Sequence, residues 1–371
     1  MRVPARELVD EVLRNLSAGI DVETLHSLEL EGRETIMDLV ENDHPLAAPF
    51  YVRSSDDVRR GWDYDRRIQR LDVVKANEVT ATTLLTVDHS VTLTGPAGHR
   101  TRTIGISPPS WMSRDAVGAL RLAKGASDLQ LAPDATERGT SYHVLTFHDG
   151  RYPVRVYIDA GTMLPSAIEA TIALDDQHVA ESIAWNAMGD IRERMEFINW
   201  SFESGIRYPL QQDEFRNGDL YRSFTVRKVR VNAALEVADA RLNADEGVAP
   251  SSVQAFRIDR RVPGGPYPDK PVAEIAPGII QIPNSWFSAI VRQDDGLVIL
   301  DAPISAGYSK SVIAEAERRF PGIPIKALIT STGFFWHVAG VREYAARGIK
   351  IYAEARNIPV LERMLRAPQC P

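Results

Sequence analysis

Eight histidines and one cysteine are spread along the 371-residue chain, and their spacing limits the site chemistry open to it. His26, His44, His89, His99, His143, His148 and His178 form none of the H-x-H, H-E-x-x-H or H-x-x-E-H patterns that converge imidazoles on one metal ion. His143 and His148 are five residues apart, so on a continuous strand they face opposite ways. Cys370 stands alone next to the C-terminal residue, which excludes an internal disulfide and any Cys-x-x-Cys motif. There is no Gly-x-Ser-x-Gly nucleophile elbow, no Walker A loop and no Gly-x-Gly-x-x-Gly turn. The paired carboxylates Asp175-Asp176 and Asp294-Asp295 sit in turn contexts and read as solvated. One segment remains, Ser331 to Gly340, which holds His337, with Asp301 upstream at the end of an apolar run. A lone His beside Phe335 and Trp336 reads first as a packed, hydrogen-bonded residue, because a metal site needs several ligands. Asp301 reads as a structural strand-end residue before a catalytic one.

These residues need elements to position them. Residues 5–16 carry Leu8, Val9, Val12, Leu13 and Leu16 at the spacing of one helix face. From about residue 75 the texture changes to short, partly alternating segments at 80–87, 90–93, 142–147, 154–158, 167–173, 192–202, 209–215 and 221–231. Asp149-Gly150, Ser204-Gly205 and Asn217-Gly218-Asp219 separate several of them, and Asn-Gly between alternating runs predicts a hairpin over 211–231. The region up to about 240 therefore reads as a largely antiparallel sheet with a helix or two. Residues 243–271 are too rich in Pro and Gly to hold a regular element and read as a linker. Beyond it come strands at 278–282, 287–292 and 296–300, a helix at 309–319, a strand at 325–329, a helix at 341–347 and a strand at 349–353. A last helix at 357–365 has Pro359 in its first turn. Strands alternating with helices predict an α/β layer arrangement.

Bulk properties narrow the function classes. The length favours two domains, and 44% hydrophobic and 25% charged residues are ordinary for a globular chain. A net charge of −7 argues against nucleic acid, which needs clustered Lys and Arg. The basic runs Arg59-Arg60 and Arg66-Arg67 with Arg70 are interleaved with Asp63 and Asp65 and read as a solvated mixed face. No stretch of 18 uninterrupted apolar residues predicts a membrane-spanning helix. The N-terminus lacks the apolar run of a secretory signal, so the expected compartment is the cytoplasm, or the periplasm if a signal has been removed.

Two family resemblances emerge from motifs in order. Asn284-Ser285-Trp286-Phe287, then Asp295-Gly296-Leu297-Val298-Ile299-Leu300-Asp301, then Ala327-Leu328-Ile329-Thr330 leading into Ser331–Gly340, resemble the first half of a metallo-β-lactamase-fold hydrolase domain. Members of that family carry H-x-H-x-D-H in the loop after this last strand. Its imidazoles and carboxylate hold one or two metal ions, zinc or another divalent metal, with an open position for water. The metal brings the pKa of that water to about 7 and so supplies hydroxide at neutral pH. Position by position, Thr332 stands for the first His, Phe334 for the second, Trp336 for the Asp, and His337 alone is kept. Phe and Trp have no lone pair for a metal, the Thr332 hydroxyl is a poor zinc ligand, and one imidazole holds a divalent ion weakly. Only 34 residues follow His337, with no further histidine, whereas the family draws its remaining ligands from later in the domain. The resemblance thus implies no cofactor in this chain. It also implies an α/β layer without its second sheet, leaving an apolar face uncovered.

The second resemblance covers roughly residues 140–235. Pro153-Val154-Arg155-Val156-Tyr157-Ile158-Asp159, Leu164-Pro165, Phe197-Ile198-Asn199-Trp200 and Gly205-Ile206-Arg207-Tyr208-Pro209 follow the order of the LolA-like half-barrel, the lipoprotein-carrier fold. That resemblance implies a curved antiparallel sheet around an apolar pocket closed by helices.

The expected fold is therefore α+β. A curved antiparallel half-barrel with helices occupies residues 1–242, a linker 243–271, and a partial metallo-β-lactamase-like α/β sandwich 272–371. The first functional expectation is a relative of the metal-dependent hydrolases that is inactive or incomplete, since metal ligands and the second half-domain are missing. The alternative is an apolar-ligand or lipid carrier that uses the half-barrel. Expected partners are an apolar small molecule or a protein, with a homo-oligomer as one way to cover the α/β face.

Overall fold

The computed structural model describes residues 4–38, 51–76, 78–85, 89–94, 99–104, 111–150, 152–172, 189–235, 272–283, 287–303, 306–333 and 335–368. The linker reading at 243–271 and residues His44, His178, Asp175, Asp176, Asn284, Ser285, Trp286, Phe334 and Cys370 lie outside the described residues. The chain divides into two compact units, one of residues 1–37, 52–172 and 192–251, the other of 38–51, 173–191 and 252–371.

The first unit is built on one sheet of thirteen strands in the order β6-β5-β4-β3-β2-β1-β13-β12-β11-β10-β9-β8-β7. The strands are β1 Ser27–Asp38, β2 Tyr51–Asp63, β3 Ile68–Lys75, β4 Glu78–Leu85, β5 His89–Thr94, β6 His99–Ile104 and β7 Gln130–Glu137. They continue as β8 Thr140–Asp149, β9 Tyr152–Asp159, β10 Pro165–Ile172, β11 Ile191–Glu203, β12 Ile206–Arg216 and β13 Asp219–Val231. Each consecutive hairpin lies beside the last, and β1 closes against β13 antiparallel, with Leu28 opposite Val231 and Thr35 opposite Ser223. The architecture is mostly β, a large curved antiparallel sheet with few helices, in line with the first half of the expectation.

The turns follow from local chemistry. Arg138-Gly139, Ser204-Gly205 and Asn217-Gly218 each carry positive φ at both residues, 51° and 85°, 50° and 88°, and 51° and 91°. That is the two-residue hairpin turn whose twist matches the flanking strands. The strand-end aspartate of the LolA-like motif also acquires a role. Asp159 Oδ1 accepts hydrogen bonds from the Gly161 and Thr162 amides at 2.8 Å, which shapes the turn into Leu164-Pro165.

Two helices lie on one face of this sheet, here the inner face. Helix α1, Ala5–Leu16, buries Leu8, Val9, Val12, Leu13 and Leu16, each at most 3% exposed. Helix α2, Ala116–Gly125, starts at Asp115, whose carboxylate caps the Gly118 amide. Both pack into one core with Leu28, Leu30, Val58, Trp62, Leu145, Phe147, Val154, Val156, Ile158, Tyr208, Phe224 and Val226. Fully burying an aliphatic side chain of this kind contributes about 1.5–3 kcal/mol, so the face of α1 is a major contributor to the unit. Gly32 is glycine because the Phe224 ring and the Thr225 carbonyl occupy the space a side chain would need. A Cβ there would sit 2.2 Å from the Thr225 carbonyl and 2.6 Å from the ring.

The strands begin much earlier than the sequence texture indicates, at residue 27 rather than near 80. β1 alternates Leu28 and Leu30, but its next inward positions are Gly32 and Glu34, and Arg60 faces inward on β2 between Val58 and Trp62. Charged residues at buried positions hide the period of two on which strand recognition depends.

The second unit holds a six-stranded sheet in sequential order: β14 Ala273–Ala276, β15 Ile279–Ile282, β16 Ser288–Gln293, β17 Gly296–Leu300, β18 Ile325–Ile329 and β19 Lys350–Tyr352. β14 to β17 form an antiparallel meander, and β17, β18 and β19 are parallel. Helix α3, Ala306–Arg319, connects β17 to β18, while α4, Phe335–Val338, and α5, Val341–Ala346, connect β18 to β19. Helix α6, Ile358–Arg366, follows with Pro359 in its first turn. Leu300, Ile329 and Tyr352 are neighbours in register across the three parallel strands and are 39%, 42% and 54% exposed.

Candidate functional site

In the second unit the chemistry-bearing residues of the sequence meet at the carboxyl ends of β17 and β18. Open α/β sheets place their sites at such ends. Asp301 follows β17 in the left-handed region, with φ of 58°. Its Oδ1 accepts the Ser331 amide at 2.7 Å, and its Oδ2 accepts the Ser331 hydroxyl at 2.7 Å and His337 Nδ1 at 3.2 Å. Burial opposes the charge of this carboxylate, but the hydrogen bonds from His337 and Ser331 outweigh it and hold the pKa below the usual value. The loop is clamped further by the Ala302 amide on the His337 carbonyl at 2.9 Å and the Gly340 amide on the Ala302 carbonyl at 2.8 Å. Asp301 and His337 are thus brought together, and Asp301 works as the organiser of the loop.

Of the other motif positions, Thr332 is half-buried, Trp336 lies in α4, and Phe334 is among the undescribed residues. Among the described residues no group of three or more His, Cys, Asp or Glu comes together in the manner of a metal site. The donor set does not fit the family's metals. Thr332 offers a hydroxyl, Phe334 and Trp336 offer no donor, and the Nδ1 of His337 is engaged by Asp301.

The first unit presents a different constellation on its inner face. Along β12 the inward positions are Ile206, Tyr208, Leu210, Gln212, Glu214 and Arg216, running from apolar to ionic. The neighbouring strands repeat the gradient. β1 runs Leu28, Leu30, Gly32, Glu34; β13, in reverse, runs Val226, Phe224, Arg222; and β11 runs Phe197, Met195, Glu193. The ionic ends form an alternating chain across the sheet. Arg114 pairs with Glu193 at 2.7 Å, Glu193 with Arg216 at 3.1 Å, and Arg216 with Glu214 at 3.2 Å. Arg222 bridges Glu214 and Glu34, each at 3.7 Å, and Glu34 pairs with Arg60.

Glu34, Arg60, Glu193, Glu214 and Arg216 are all buried. Burial works against the charge of Glu214, but Arg222, Arg216 and Arg114 overcome it and lower its pKa to about 2. Burial, with Arg222 alongside, lowers the pKa of Arg60 to about 9, which leaves it cationic at neutral pH. Its guanidinium lies 4.3 Å over the Phe224 ring, so the ionic band abuts the apolar core directly. Where the half-barrel resemblance implies an apolar pocket, the inner face is apolar at one end and ionic at the other.

Between the two ends sits the anchor of α2. Tyr208 and Tyr64 donate their hydroxyls to the buried Asp115 carboxylate at 2.6 and 2.8 Å, and Gln212 Nε2 donates to the Tyr208 oxygen at 3.3 Å. Burial raises the Asp115 pKa despite these bonds, and burial next to Asp115 raises both tyrosines well above their ordinary value. The Gly-x-Arg-Tyr-Pro motif owes its residues to this arrangement. Gly205 makes the turn, Arg207 reaches Asn15 of α1 at 3.0 Å, and Tyr208 holds the cap of α2. On the opposite face, Arg194 pairs with Glu137, Glu169 and Glu196 along a polar cleft of about 480 Å³.

No family model matches the chain, and no curated protein matches it. Solved structures do resemble it. A DUF1329 family protein from Desulfovibrio piger is 13% identical, over 66% of this chain and 99% of its own, with a TM-score of 0.40. A LolA superfamily protein from Nitrosomonas europaea is 11% identical, over 63% and 96%, with a TM-score of 0.39. The inverting sec-alkylsulfatase Pisa1 from Pseudomonas sp. is 22% identical, over only 24% of this chain and 15% of its own, with a TM-score of 0.22. The DUF1329 and LolA-superfamily structures are both matched over nearly their whole length, at TM-scores below 0.5 that leave the strand order and inner face to define this fold.

Proposed function

We propose that this chain is a binding or carrier protein for an apolar ligand, held against the inner face of the thirteen-stranded sheet. The observation that carries this reading is how that face is covered. Among the described residues a broad apolar surface is closed by two short helices of 12 and 10 residues and by no second sheet. Such helices can yield their place to a ligand at the cost of one helix face, whereas a sandwich cannot open without losing a whole layer. Of the two, α2 is tied by its buried cap to Tyr64 and Tyr208. Among the described residues helix α1 has no side-chain cap at its N-terminus; it is held by the partly exposed Asp10–Lys124 ion pair to α2 at 2.8 Å and, near its C-terminal end, by Asn15, which donates to the Thr162 and Met163 carbonyls at 3.0 Å. Helix α1 is therefore the element that moves, swinging on its Asn15 end while its apolar face is replaced by the ligand.

A second reading applies to the other unit, as a relative of the metallo-β-lactamase-fold hydrolases without a working metal site. It is supported by the meander followed by parallel strands, by His337 at the one retained ligand position, and by the loss of donors at Thr332, Phe334 and Trp336.

Native mass spectrometry of the full chain, purified without organic solvent, tests both readings. The carrier reading expects an added mass of a lipid-like compound that solvent extraction removes and re-addition restores. No retained mass, and none taken up from a lipid extract, would contradict it. One or two equivalents of tightly bound zinc, manganese or iron in the same spectra would overturn the second reading.

A further inference from the structure

The outer face of the first unit carries a cleft to which the carrier reading gives no task. Its volume of about 480 Å³ falls within the roughly 300–1,000 Å³ of small-molecule sites. It runs across the sheet from the β7–β8 turn at Arg138 to the β12–β13 turn at Gly218. One wall is aromatic, with the Tyr142 and Tyr157 rings edge to face and 6.1 Å apart.

The acids of the cleft are already engaged. Arg194 takes all three of them, Glu137 at 2.8 Å, Glu196 at 3.0 Å and Glu169 at 3.7 Å. Arg155 lies directly opposite Glu169 in the β9–β10 register, a position at which opposite charges ordinarily pair. Glu169 is nevertheless turned to Arg194. Among the described residues the side chains of Arg138, Arg155 and Arg192 make no hydrogen bond or ion pair, and all three are exposed. Three free guanidiniums therefore line one cleft whose carboxylates are spoken for.

Each of the three is carried by fixed backbone. Arg155 points outward from β9 between the fully buried Val154 and Val156. Arg192 opens β11 beside Asn217, with its amide donating to Asn217 Oδ1 at 2.8 Å and its carbonyl accepting the Asn217 amide at 2.9 Å. Arg138 is the first residue of its hairpin turn, with φ of 51°. That left-handed position favours Asn, Asp or Gly, so the turn itself does not call for an arginine.

We infer that this cleft binds a small polyanion, a compact molecule whose phosphate or carboxylate groups are met by Arg138, Arg155 and Arg192. Arginine suits the task because its planar fork meets a two-oxygen anion with paired hydrogen bonds. The glutamates set the size of the ligand. Glu137, Glu169 and Glu196 line the same cleft and repel the continuous charge of a nucleic acid, while a compact ion can sit among the three guanidiniums. The site is on the face opposite α1 and α2 and does not depend on the carrier reading.

The test is isothermal titration calorimetry of the full chain at pH 7.4 and low ionic strength, with pyrophosphate, citrate and sulfate as probes. Pyrophosphate or citrate is expected to bind at a single site about ten-fold or more tighter than sulfate, and the tighter of the two identifies the head chemistry. Arg155→Met and Arg192→Gln are each expected to weaken that binding about ten-fold, the effect of one charge-assisted hydrogen bond. Arg138→Asn places a residue that the turn favours, so an equal loss there cannot come from misfolding. Arg366→Gln removes the same charge from α6 and is expected to leave the affinity within about two-fold of the wild type. Binding of neither polyanion by the wild type would overturn the inference. So would affinities that survive all three cleft variants, or a loss in Arg366→Gln as large as theirs, which would mark the binding as general charge attraction.

Discussion

At the scale of single residues, Glu214 shows why the inner face escaped recognition and how it is tested. The period of two along Ile206, Tyr208, Leu210, Gln212, Glu214 and Arg216 is regular. Half of these positions are polar, however, and a reading that equates inward with apolar counts them as solvent-facing. His337 and Asp301 were legible as a pair of candidates because strand ends and lone imidazoles stand out in a sequence. Their mutual hydrogen bond was not, since it depends on the left-handed turn at Asp301. Glu214 also fixes a pH dependence. Its folded pKa is about 2, below its ordinary 4.5, so the stabilisation from ionisation is complete above about pH 5 and disappears as the pH falls toward 2. At pH 7, Glu214→Gln leaves Arg216 and Arg222 short of a carboxylate and is expected to cost about 3–5 kcal/mol in urea unfolding. The gap to the wild type should close progressively between pH 5 and pH 2; a constant gap over that range would show that Glu214 is not charged in the folded protein.

At the scale of elements, legibility tracked how each helix or strand packs. Helix α1 was readable to the residue because five large aliphatic side chains fall on one face. Helix α2 was not, because its buried face is built largely from small residues, Ala116, Gly118, Ala119 and Ala123 around Leu120. They are small for close approach: a Cβ on Gly118 would stand 2.6 Å from the Met112 carbonyl. In the second unit the strand at 325–329 and the start of the helix at 341 were read to the residue, since short buried strands bounded by Pro and Gly leave little ambiguity. The packing of α1 gives a direct prediction. Leu13→Ala removes a side chain that is 1% exposed and should lower the unfolding free energy by about 2–5 kcal/mol. A loss under about 0.5 kcal/mol, the range of an exposed position, would show that α1 is not docked on the sheet in solution.

At the scale of the whole molecule, the strand order of the first unit was legible only in part. The hairpin announced by Asn217-Gly218 is present, but the closure of β1 on β13, some two hundred residues apart in sequence, has no local signal. That closure makes one continuous inner surface out of two runs of hairpins, β1 to β6 and β7 to β13. The account therefore stands on where a ligand lies. A fatty acid carrying a diazirine in its tail, photolysed in the presence of the solvent-extracted chain and followed by peptide mass spectrometry, reads that location. The account predicts adducts on inward residues of β1, β11, β12 and β13 and on α1, lost when unlabelled fatty acid competes. Adducts confined to the Arg194 face or to the second unit, or labelling that competitor does not suppress, would contradict it.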